Sequence, residues 1–179
     1  MTFDSNKDYL ILVDTNDSPI GMMDKKQVHE LGLLHRAFSV FIFNTKGELL
    51  LQQRADDKYH SAGLWTNTCC SHPRWGEEIY DAVKRRLKEE MGLQCITNFL
   101  FKFNYKASFE NGLIENECDH VFTGVTDDLP KPNSSEVKAW KYVNIFDLKK
   151  NIAQEPGSYT VWLKTCLSQL IEEYQHDFM

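Results

Sequence analysis

The sequence predicts a mixed α/β (α+β) fold, with a mixed β-sheet sandwiched between helices. Segments of alternating or continuous apolar residues, typical of strands, are interspersed with segments whose apolar residues recur at helical spacing. The two kinds of segment do not alternate strictly, which favours a mixed sheet over the parallel sheet of repeated βαβ units. The chain contains no internal repeat, low-complexity tract or obvious linker, so one domain is expected over residues 1–179.

Turn and capping residues mark the elements of the first half. YLILV (residues 9–13) predicts a strand, which the turn-rich DTNDSP ends. DKKQVHELG predicts a short helix with Asp24 as its N-cap and Gly32 as its end. AFSVFIF (37–43) and ELLLQQR (48–54) flank NTKG and together predict a β-hairpin.

The second half contains the strongest helical pattern, GEEIYDAVKRRLKEEMGL (76–93). Ala82, Leu87 and Met91 recur at helical spacing, acidic residues crowd the first turn, and Gly92 follows as the stop. The remaining predicted elements are strands at LFKFNYKA, ECDHVFTGV and VKAWKYVN, a short helix at IFDLKK and a closing amphipathic helix at SYTVWLKTCLSQLIEEY.

Composition excludes several functional classes. The net charge of −6 argues against a nucleic-acid partner, and no apolar run approaches the roughly 20 residues of a membrane span. The start, MTFDSNKDYL, lacks the basic and apolar regions of a secretory signal. The five cysteines are odd in number, which favours reduced thiols over a disulfide framework. We therefore expect a cytoplasmic protein, and nothing in the sequence indicates an obligate protein partner.

The segment TNTCCSHP (66–73) places two adjacent cysteines beside a histidine. In an extended chain, Cys70 and His72 face one side while Cys69 and Ser71 face the other. Cys70 then lies beside a potential metal ligand, whereas Cys69 is expected to pack into the core. The functional cysteine is therefore predicted to be Cys70.

Two other groups of residues suit a metal ion. Glu115 and Glu117 are two apart, so in a strand both carboxylates point to one side and form an oxygen-donor pair for a divalent cation. His29 on the short helix and His35 just beyond it are close enough in the chain to converge. No comparable grouping surrounds the remaining histidines, which are His60, His120 and His176.

The run SHPRWGEEIYDAVKRRLKEEMGL resembles the Nudix signature, G-x5-E-x7-R-E-U-x-E-E-x-G-U, where U is aliphatic. Ser71 stands where the leading glycine is expected, and Arg86 replaces a glutamate that belongs to the metal-binding carboxylates of Nudix hydrolases. A cation at that position favours direct contact with a phosphate over diphosphate cleavage. The matching residues are Glu77, Arg85, Leu87, Glu89, Glu90, Gly92 and Leu93.

Taken in order, the motifs resemble one branch of this superfamily, the type I isopentenyl-diphosphate delta-isomerases. The resemblance covers nearly the whole chain and rests on KKQVH, HRAFSVFIFN, LLLQQRADDKYHSAGLWTNTCCSHP, the Nudix-like helix, FNYKA, LIENECDHVF and YTVW. It implies a Nudix-type fold and the interconversion of isopentenyl diphosphate and dimethylallyl diphosphate, in isoprenoid biosynthesis.

The resemblance also implies roles for individual residues. Cys70 and Glu117 would form the catalytic pair, with Tyr105 assisting at the acid side. A second magnesium ion, bridging protein and diphosphate, would use Glu90 and the backbone carbonyl of Cys70. The implied divalent-metal site consists of His29, His35, His72, Glu115 and Glu117. The implied substrate contacts are Lys25, Arg54, Lys58, Ser71 and Arg86 at the diphosphate and Trp162 over the hydrocarbon.

The chemistry of moving a double bond requires these residue types. An unactivated alkene is a poor base, so protonation passes through or near a tertiary carbocation, with an acid on one side and a base on the other. Three imidazoles and two carboxylates exceed the four ligands of structural zinc. Such a set suits a six-coordinate ion, Mn²⁺ or Mg²⁺, with Zn²⁺ able to substitute, and Mg²⁺ is also expected with the substrate.

Two alternatives remain open at this point. A Nudix pyrophosphohydrolase would share the fold, although Arg86 and the CCSHP segment argue against it. A non-catalytic zinc-binding module would use a different set, although no CxxC pair is present. That set would be Cys69, Cys70, His72, Cys118 and His120.

Overall fold

A computed structural model describes residues 8–178, with the side chains of residues 8–173. In that part of the chain, nine strands join in one sheet and four α-helices pack around it. The strands are β1 (Tyr9–Val13), β2 (Pro19–Asp24), β3 (His35–Phe43), β4 (Glu48–Arg54), β5 (Trp65–Thr66), β6 (Cys69–Ser71), β7 (Thr97–Ser108), β8 (Ile114–Val125) and β9 (Val137–Asn144). The helices are α1 (Lys25–Leu31), α2 (Ile79–Met91), α3 (Ile145–Gln154) and α4 (Val161–Phe178), with a 3₁₀ turn at Pro156–Ser158.

Strand β3 is the centre of the sheet. It runs parallel to β8 over its whole length and antiparallel to β6, so both strands lie directly beside it. The hairpin β7–β8 adds the next strand on that side, and β4 pairs with β9. The mixed sheet predicted from the sequence is therefore confirmed.

The two faces of β3 bury different cores. Phe41 and Phe43 pack in a cluster with residues of α3 and α4, whereas Val40 and Ile42 pack in a second cluster with residues of α2. Successive side chains of a strand point to opposite faces, so an almost continuously apolar strand must be covered on both sides. This arrangement confirms the prediction of a sheet sandwiched between helices.

Helix α1 has the predicted ends. The Asp24 carboxylate accepts hydrogen bonds from the backbone N–H groups of Lys26 and Gln27, and Gly32 adopts φ 62° as the C-cap. Glycine is required there, because a Cβ atom on Gly32 would lie 3.0 Å from the side chain of Ile114. The end of α1 is thereby packed tightly against the start of β8.

Three local predictions need correction. The strands β3 and β4 pair only at Phe43↔Leu49, so the predicted hairpin is formed at its turn, after which the two strands diverge. Helix α2 spans Ile79–Met91 rather than the predicted 76–93, because the backbone of Glu78 is extended and Glu77 instead accepts a hydrogen bond from the backbone N–H of Arg74. Strand β2 was not predicted, since PIGMMD shows no alternation and begins with proline.

None of the helices in the described part of the chain combines the length and apolar character needed to cross a membrane.

Candidate active site and metal centre

Five of the predicted metal ligands meet at one place. Each offers one nitrogen or oxygen atom, and these atoms all lie within 4.8 Å of one another. They come from four parts of the chain: helix α1, the first residue of β3, the residue after β6, and β8. The five residues are His29, His35, His72, Glu115 and Glu117.

Strand register explains how β8 contributes two carboxylates. His35 is paired with Glu117 in the parallel ladder, and Glu115 lies two residues earlier on the same side of β8. The intervening Asn116 points the other way, and its side-chain amide donates to the carbonyl of Gly32 at 2.9 Å. That bond ties the end of α1 to β8 and so brings His29 over the two glutamates.

Backbone carbonyls orient two of the imidazoles. His29 Nδ1 lies 2.6 Å from the carbonyl oxygen of Lys25, and His35 Nδ1 lies 2.9 Å from that of Leu33. A carbonyl can only accept, so both Nδ1 atoms carry the proton. In the neutral ring the Nε2 lone pair is then free, and it points into the cluster.

The nitrogen and oxygen atoms at the centre lie close together, and His72 Nε2 is 2.7 Å from Glu117 Oε1. His35 Nε2 and His72 Nε2 are 3.2 Å apart, and His29 Nε2 lies 3.2 Å from Glu115 Oε2. His29 Nε2 and Glu115 Oε2 are both buried without a hydrogen-bond partner, because their close approach lacks hydrogen-bond geometry. Imidazole nitrogens and carboxylate oxygens that converge in this way suit a divalent cation placed between them. The residues present therefore fit a divalent metal ion.

Electrostatics keep the carboxylates of this cluster ionised. Burial and the charge of Glu117 raise the pKa of Glu115, but the imidazoles of His29 and His60 hold that pKa below the ordinary value. Burial likewise raises the pKa of Glu117, but contacts with His35 and with the Tyr105 hydroxyl together lower it below the ordinary value. Burial and neighbouring cations push the pKa of His72 well below its usual range, so its ring is neutral, as a metal ligand must be.

Beside the metal cluster lies a pocket that contains the predicted catalytic residues Cys70, Glu117 and Tyr105. Cys70 is on β6, where it pairs with Ser39 of β3, and Glu117 is on β8, on the opposite side of β3. The thiol and the carboxylate thus approach one cavity from the two strands that flank the central strand. The same pocket is lined by every predicted substrate-contact residue: Lys25, Arg54, Lys58, Ser71, Arg86 and Trp162.

The two catalytic candidates differ in protonation. Burial raises the pKa of the Cys70 thiol to about 12, against the opposing effect of Arg54, so the thiol keeps its proton near neutral pH. Glu117 is ionised, and the Tyr105 hydroxyl donates to its Oε2 at 2.6 Å. Burial and the charge of Glu117 raise the pKa of Tyr105 well above its usual value, so Tyr105 remains a donor.

Cys69 lies apart from this chemistry. It is fully buried in the core cluster beneath α2, as the sequence predicts. Ser71, expected to face the same way as Cys69, nevertheless lines the pocket, because β6 ends there and the alternation ends with it.

Cys118 and His120 form a separate group with Asp17, so the residues of the alternative zinc module do not converge.

The cations of the pocket are held in two ways. The guanidinium of Arg54 lies 5.3 Å from the ring of Trp162, and Lys25 Nζ lies 5.5 Å from the ring of Tyr59. Lys58 forms an ion pair with Glu136. Positive groups therefore concentrate at this pocket in a chain whose net charge is −6.

Arg86 occupies the Nudix carboxylate position and pairs with acids of its own helix. Its guanidinium donates to Glu90 Oε1 at 2.6 Å and to Glu89 Oε2 at 2.8 Å. The other oxygen of Glu90 accepts from the Gln52 amide at 2.8 Å. Glu90 is buried yet lines the same pocket as Cys70.

Trp162 is positioned by residues that the sequence did not single out. Its indole N–H donates to Thr66 Oγ1 at 2.8 Å and to Asn67 Oδ1 at 3.1 Å. The amide of Asn67 also donates to the carbonyl of Cys69 at 2.7 Å, next to Cys70. The aromatic wall and the strand that carries the thiol are therefore joined through one buried side chain.

His60 was also missed. Its Nε2 lies 2.8 Å from Glu115 Oε1, and the ring lines the pocket. No spacing rule could have found it, because it belongs to an irregular segment 55 residues before its partner in the chain.

Known proteins are similar to this chain over most of its length. A family model described as NUDIX domain matches residues 33–163. The chain is 52% identical over 153 residues to "Isopentenyl-diphosphate Delta-isomerase" of Burkholderia multivorans, covering 86% of this chain and 87% of the relative. It is 51% identical over 170 residues to "Isopentenyl-diphosphate Delta-isomerase 2" of Photorhabdus laumondii, covering 93% and 96%. It is 47% identical over 166 residues to "Isopentenyl-diphosphate Delta-isomerase" of Pectobacterium atrosepticum, covering 93% of this chain and 93% of the relative.

Solved structures share the architecture. A MutT protein from Methanosarcina mazei matches with a TM-score of 0.65 and 19% identity, over 78% of this chain and 94% of that one. A MutT NUDIX hydrolase from Burkholderia pseudomallei matches with a TM-score of 0.61 and 21% identity, over 76% and 97%. At this level of identity the likeness concerns the fold alone.

Proposed function

The chain belongs to the Nudix family and, within it, to the isopentenyl-diphosphate delta-isomerases, and we therefore propose that it interconverts isopentenyl diphosphate and dimethylallyl diphosphate. The observation that carries the proposal is the meeting of Cys70 and Glu117 in one pocket, on strands at either side of β3. A 1,3 shift of a proton needs such a pair of groups across a five-carbon chain.

The protonation states of the pair support acid–base chemistry. One group adds a proton to the terminal methylene carbon, and the other removes a proton from the carbon two positions away. Cys70 holds a proton at neutral pH and Glu117 does not, so the free pair has one proton to give and one place to receive it. Tyr105 fixes the carboxylate through its hydrogen bond to Oε2, so in this direction it lies beside the proton acceptor rather than at the acid side that the resemblance implied. The reverse reaction uses the same two groups in exchanged roles.

The positive charge that develops on the tertiary carbon must be protected from water, which would trap it as an alcohol. The ring of Trp162 lines the pocket and is anchored through its N–H, so its face is available to the hydrocarbon. A cation–π contact contributes roughly 0.5–2 kcal/mol. That is small beside a catalytic barrier, so positioning of the substrate and exclusion of water must contribute more.

The diphosphate group anchors the substrate in the pocket and does not itself react. Lys25, Arg54 and Lys58 surround the pocket, and Ser71 adds a hydroxyl. Burial lowers the pKa of Lys25, so a bound anion would stabilise its charged form. Arg86 could contact the diphosphate without leaving Glu90, because a guanidinium has five N–H donors.

Loss of one diphosphate-contacting residue should raise KM more than it lowers kcat. For Lys58→Met we expect KM for isopentenyl diphosphate to rise about 10–100-fold, since a charge-assisted hydrogen bond contributes about 1.5–3 kcal/mol. The value of kcat should change little, because Lys58 does not contact the reacting carbons. Steady-state kinetics test this, with Lys138→Met, which removes an exposed ion pair with Asp56, as the matched control. A fall in kcat at unchanged KM would contradict the assignment.

The His/Glu cluster is proposed to hold Mn²⁺ or Mg²⁺, with Zn²⁺ able to substitute. When bound, the ion would stabilise the ionised form of Glu117 and fix its orientation. A second Mg²⁺ is proposed to bind with the diphosphate through Glu90 and the backbone carbonyl of Cys70. The mixed nitrogen and oxygen donors of the cluster support an ion of this type.

Removal of the metal should abolish turnover without unfolding the protein. After treatment with a chelator we expect loss of isomerisation with an unchanged far-ultraviolet circular dichroism spectrum, because the two large cores lie outside the cluster. Added Mn²⁺ or Mg²⁺ should restore activity. Unfolding on chelation would instead favour a structural metal site.

The proposal as a whole is tested by incubating the purified protein with isopentenyl diphosphate and Mg²⁺ in heavy water. Dimethylallyl diphosphate carrying deuterium is the expected product, followed by nuclear magnetic resonance. Release of phosphate or pyrophosphate from nucleoside diphosphate compounds, with no isomerisation, would favour the pyrophosphohydrolase instead. We also infer a cytoplasmic location, which the five unpaired cysteines support.

A further inference from the structure

We propose that His60 is a positioning residue of the metal centre, which holds one oxygen of Glu115 so that the other faces the metal. The two oxygens of this carboxylate have separate neighbours. Oε1 lies 2.8 Å from His60 Nε2, whereas Oε2 lies 3.2 Å from His29 Nε2 and 4.0 Å from His35 Nε2. The inference rests on the metal site proposed above and extends it to a residue outside the ligand set.

The tautomer of His60 is suited to this role. Its Nδ1 lies 3.2 Å from the hydroxyl oxygen of Ser61, which can donate a hydrogen bond to it. With Nδ1 as the acceptor, the neutral ring carries its proton on Nε2, and that proton is directed at Glu115 Oε1. The contact is therefore a donor–acceptor pair.

Aromatic neighbours hold the ring of His60 in place. It stacks on Phe109 with centroids 4.7 Å apart and an interplanar angle of 17°. The rings of Tyr59 and Trp162 meet it edge-on, at 4.5 Å and 5.9 Å. A donor that cannot rotate fixes its acceptor, so Glu115 is restricted to one orientation.

This restriction determines what Glu115 offers to a cation. A free carboxylate can bind through both oxygens, but one whose Oε1 is occupied by His60 presents Oε2 alone. Outer hydrogen bonds of this kind orient metal ligands, and their loss typically costs 10–100-fold in metal affinity. Lys58 lies two residues before His60 and lines the same pocket, so one segment contacts both the metal ligand and the proposed diphosphate site.

The test compares two substitutions that separate donor from packing. His60→Phe keeps a ring against Phe109 but has no donor, whereas His60→Gln places an amide N–H close to the position of Nε2. The dissociation constant for Mn²⁺ is measured on the metal-free full chain, by paramagnetic resonance of the free ion. We expect about a 10–100-fold increase for His60→Phe and a value close to that of the unsubstituted protein for His60→Gln.

Controls decide between the possible outcomes. Glu48→Gln alters a carboxylate bonded to Asn44, outside the pocket and outside both candidate metal clusters, and should leave Mn²⁺ affinity unchanged. Equal affinity in His60→Phe and the unsubstituted protein would overturn the inference, as would equal weakening by Phe and Gln. If His60→Phe does not fold, His60→Asn replaces it, because its amide is one methylene too short to reach Glu115. If the unsubstituted chain itself binds no Mn²⁺, the metal site is wrong and the inference fails with it.

Discussion

Cys70→Ala is expected to abolish isomerisation while the protein remains folded. The thiol is the proton-bearing member of the pair, with its pKa raised to about 12 by burial, and alanine leaves nothing that can transfer a proton at that position. Loss of a general acid or base typically costs about 10²–10⁴ in rate, and we expect the effect in kcat rather than KM. Turnover of isopentenyl diphosphate, with circular dichroism as the measure of folding, gives the result.

The adjacent cysteine is the matched control. Cys69→Ala removes the same atoms one residue away, but Cys69 is buried in the core beneath α2, and its loss should leave most of the activity. A small loss of stability is expected, because a buried cavity remains. Near-normal turnover by the Cys70 variant, or equal inactivation of both variants, would refute the assignment of Cys70 as the reacting thiol.

Glu117→Gln should be equally severe, for two reasons that act together. The substitution removes the only ionised group proposed to accept the proton, and it removes one anionic ligand from the metal cluster. The amide is nearly isosteric, so its oxygen can still accept from Tyr105, and the pocket should keep its shape. We expect loss of kcat by at least about 10²-fold together with weaker metal binding.

These two contributions of Glu117 can be separated by adding metal. If Glu117 only held the ion, activity of the Gln variant would return at high Mn²⁺ concentration; if it also transfers the proton, activity stays low when the site is filled. Full recovery at saturating Mn²⁺ would therefore remove Glu117 from the catalytic pair. Glu48→Gln, which alters a carboxylate bonded to Asn44 outside the pocket, is the control for the substitution itself.

Much of the fold could be predicted because the spacing of apolar residues along the chain follows which side chains are buried. The run AFSVFIF is apolar at successive positions, and in the structure its residues enter two different cores, which requires helices on both faces of β3. The α2 helix and the strands β7 and β8 were likewise predicted from the spacing of apolar residues. The exceptions, β2 and the divergence of β4 from β3, depend on pairing partners that are distant in the chain or carry no regular pattern.

Some features of the candidate site could likewise be predicted from local patterns, and others could not. Cys70, the alternation of Glu115 and Glu117, and the departure at Arg86 could be read from neighbouring residues. The contacts of His60 with Glu115 and of Asn67 with Trp162 could not, because each joins residues separated by more than 50 positions. A single hydrogen bond between distant residues leaves no periodic trace in the sequence.

The sequence by itself determined which residue types were present and which side of each strand they occupied, because side-chain direction follows from the local period of the backbone. It therefore specified a thiol, a pair of carboxylates and a Nudix-like helix. Only the tertiary structure decided that β6 and β8 flank β3, so that Cys70 and Glu117 share one cavity. It also decided that the buried imidazoles lie against the two carboxylates. These arrangements depend on strand order and on packing between distant segments, which no local pattern encodes.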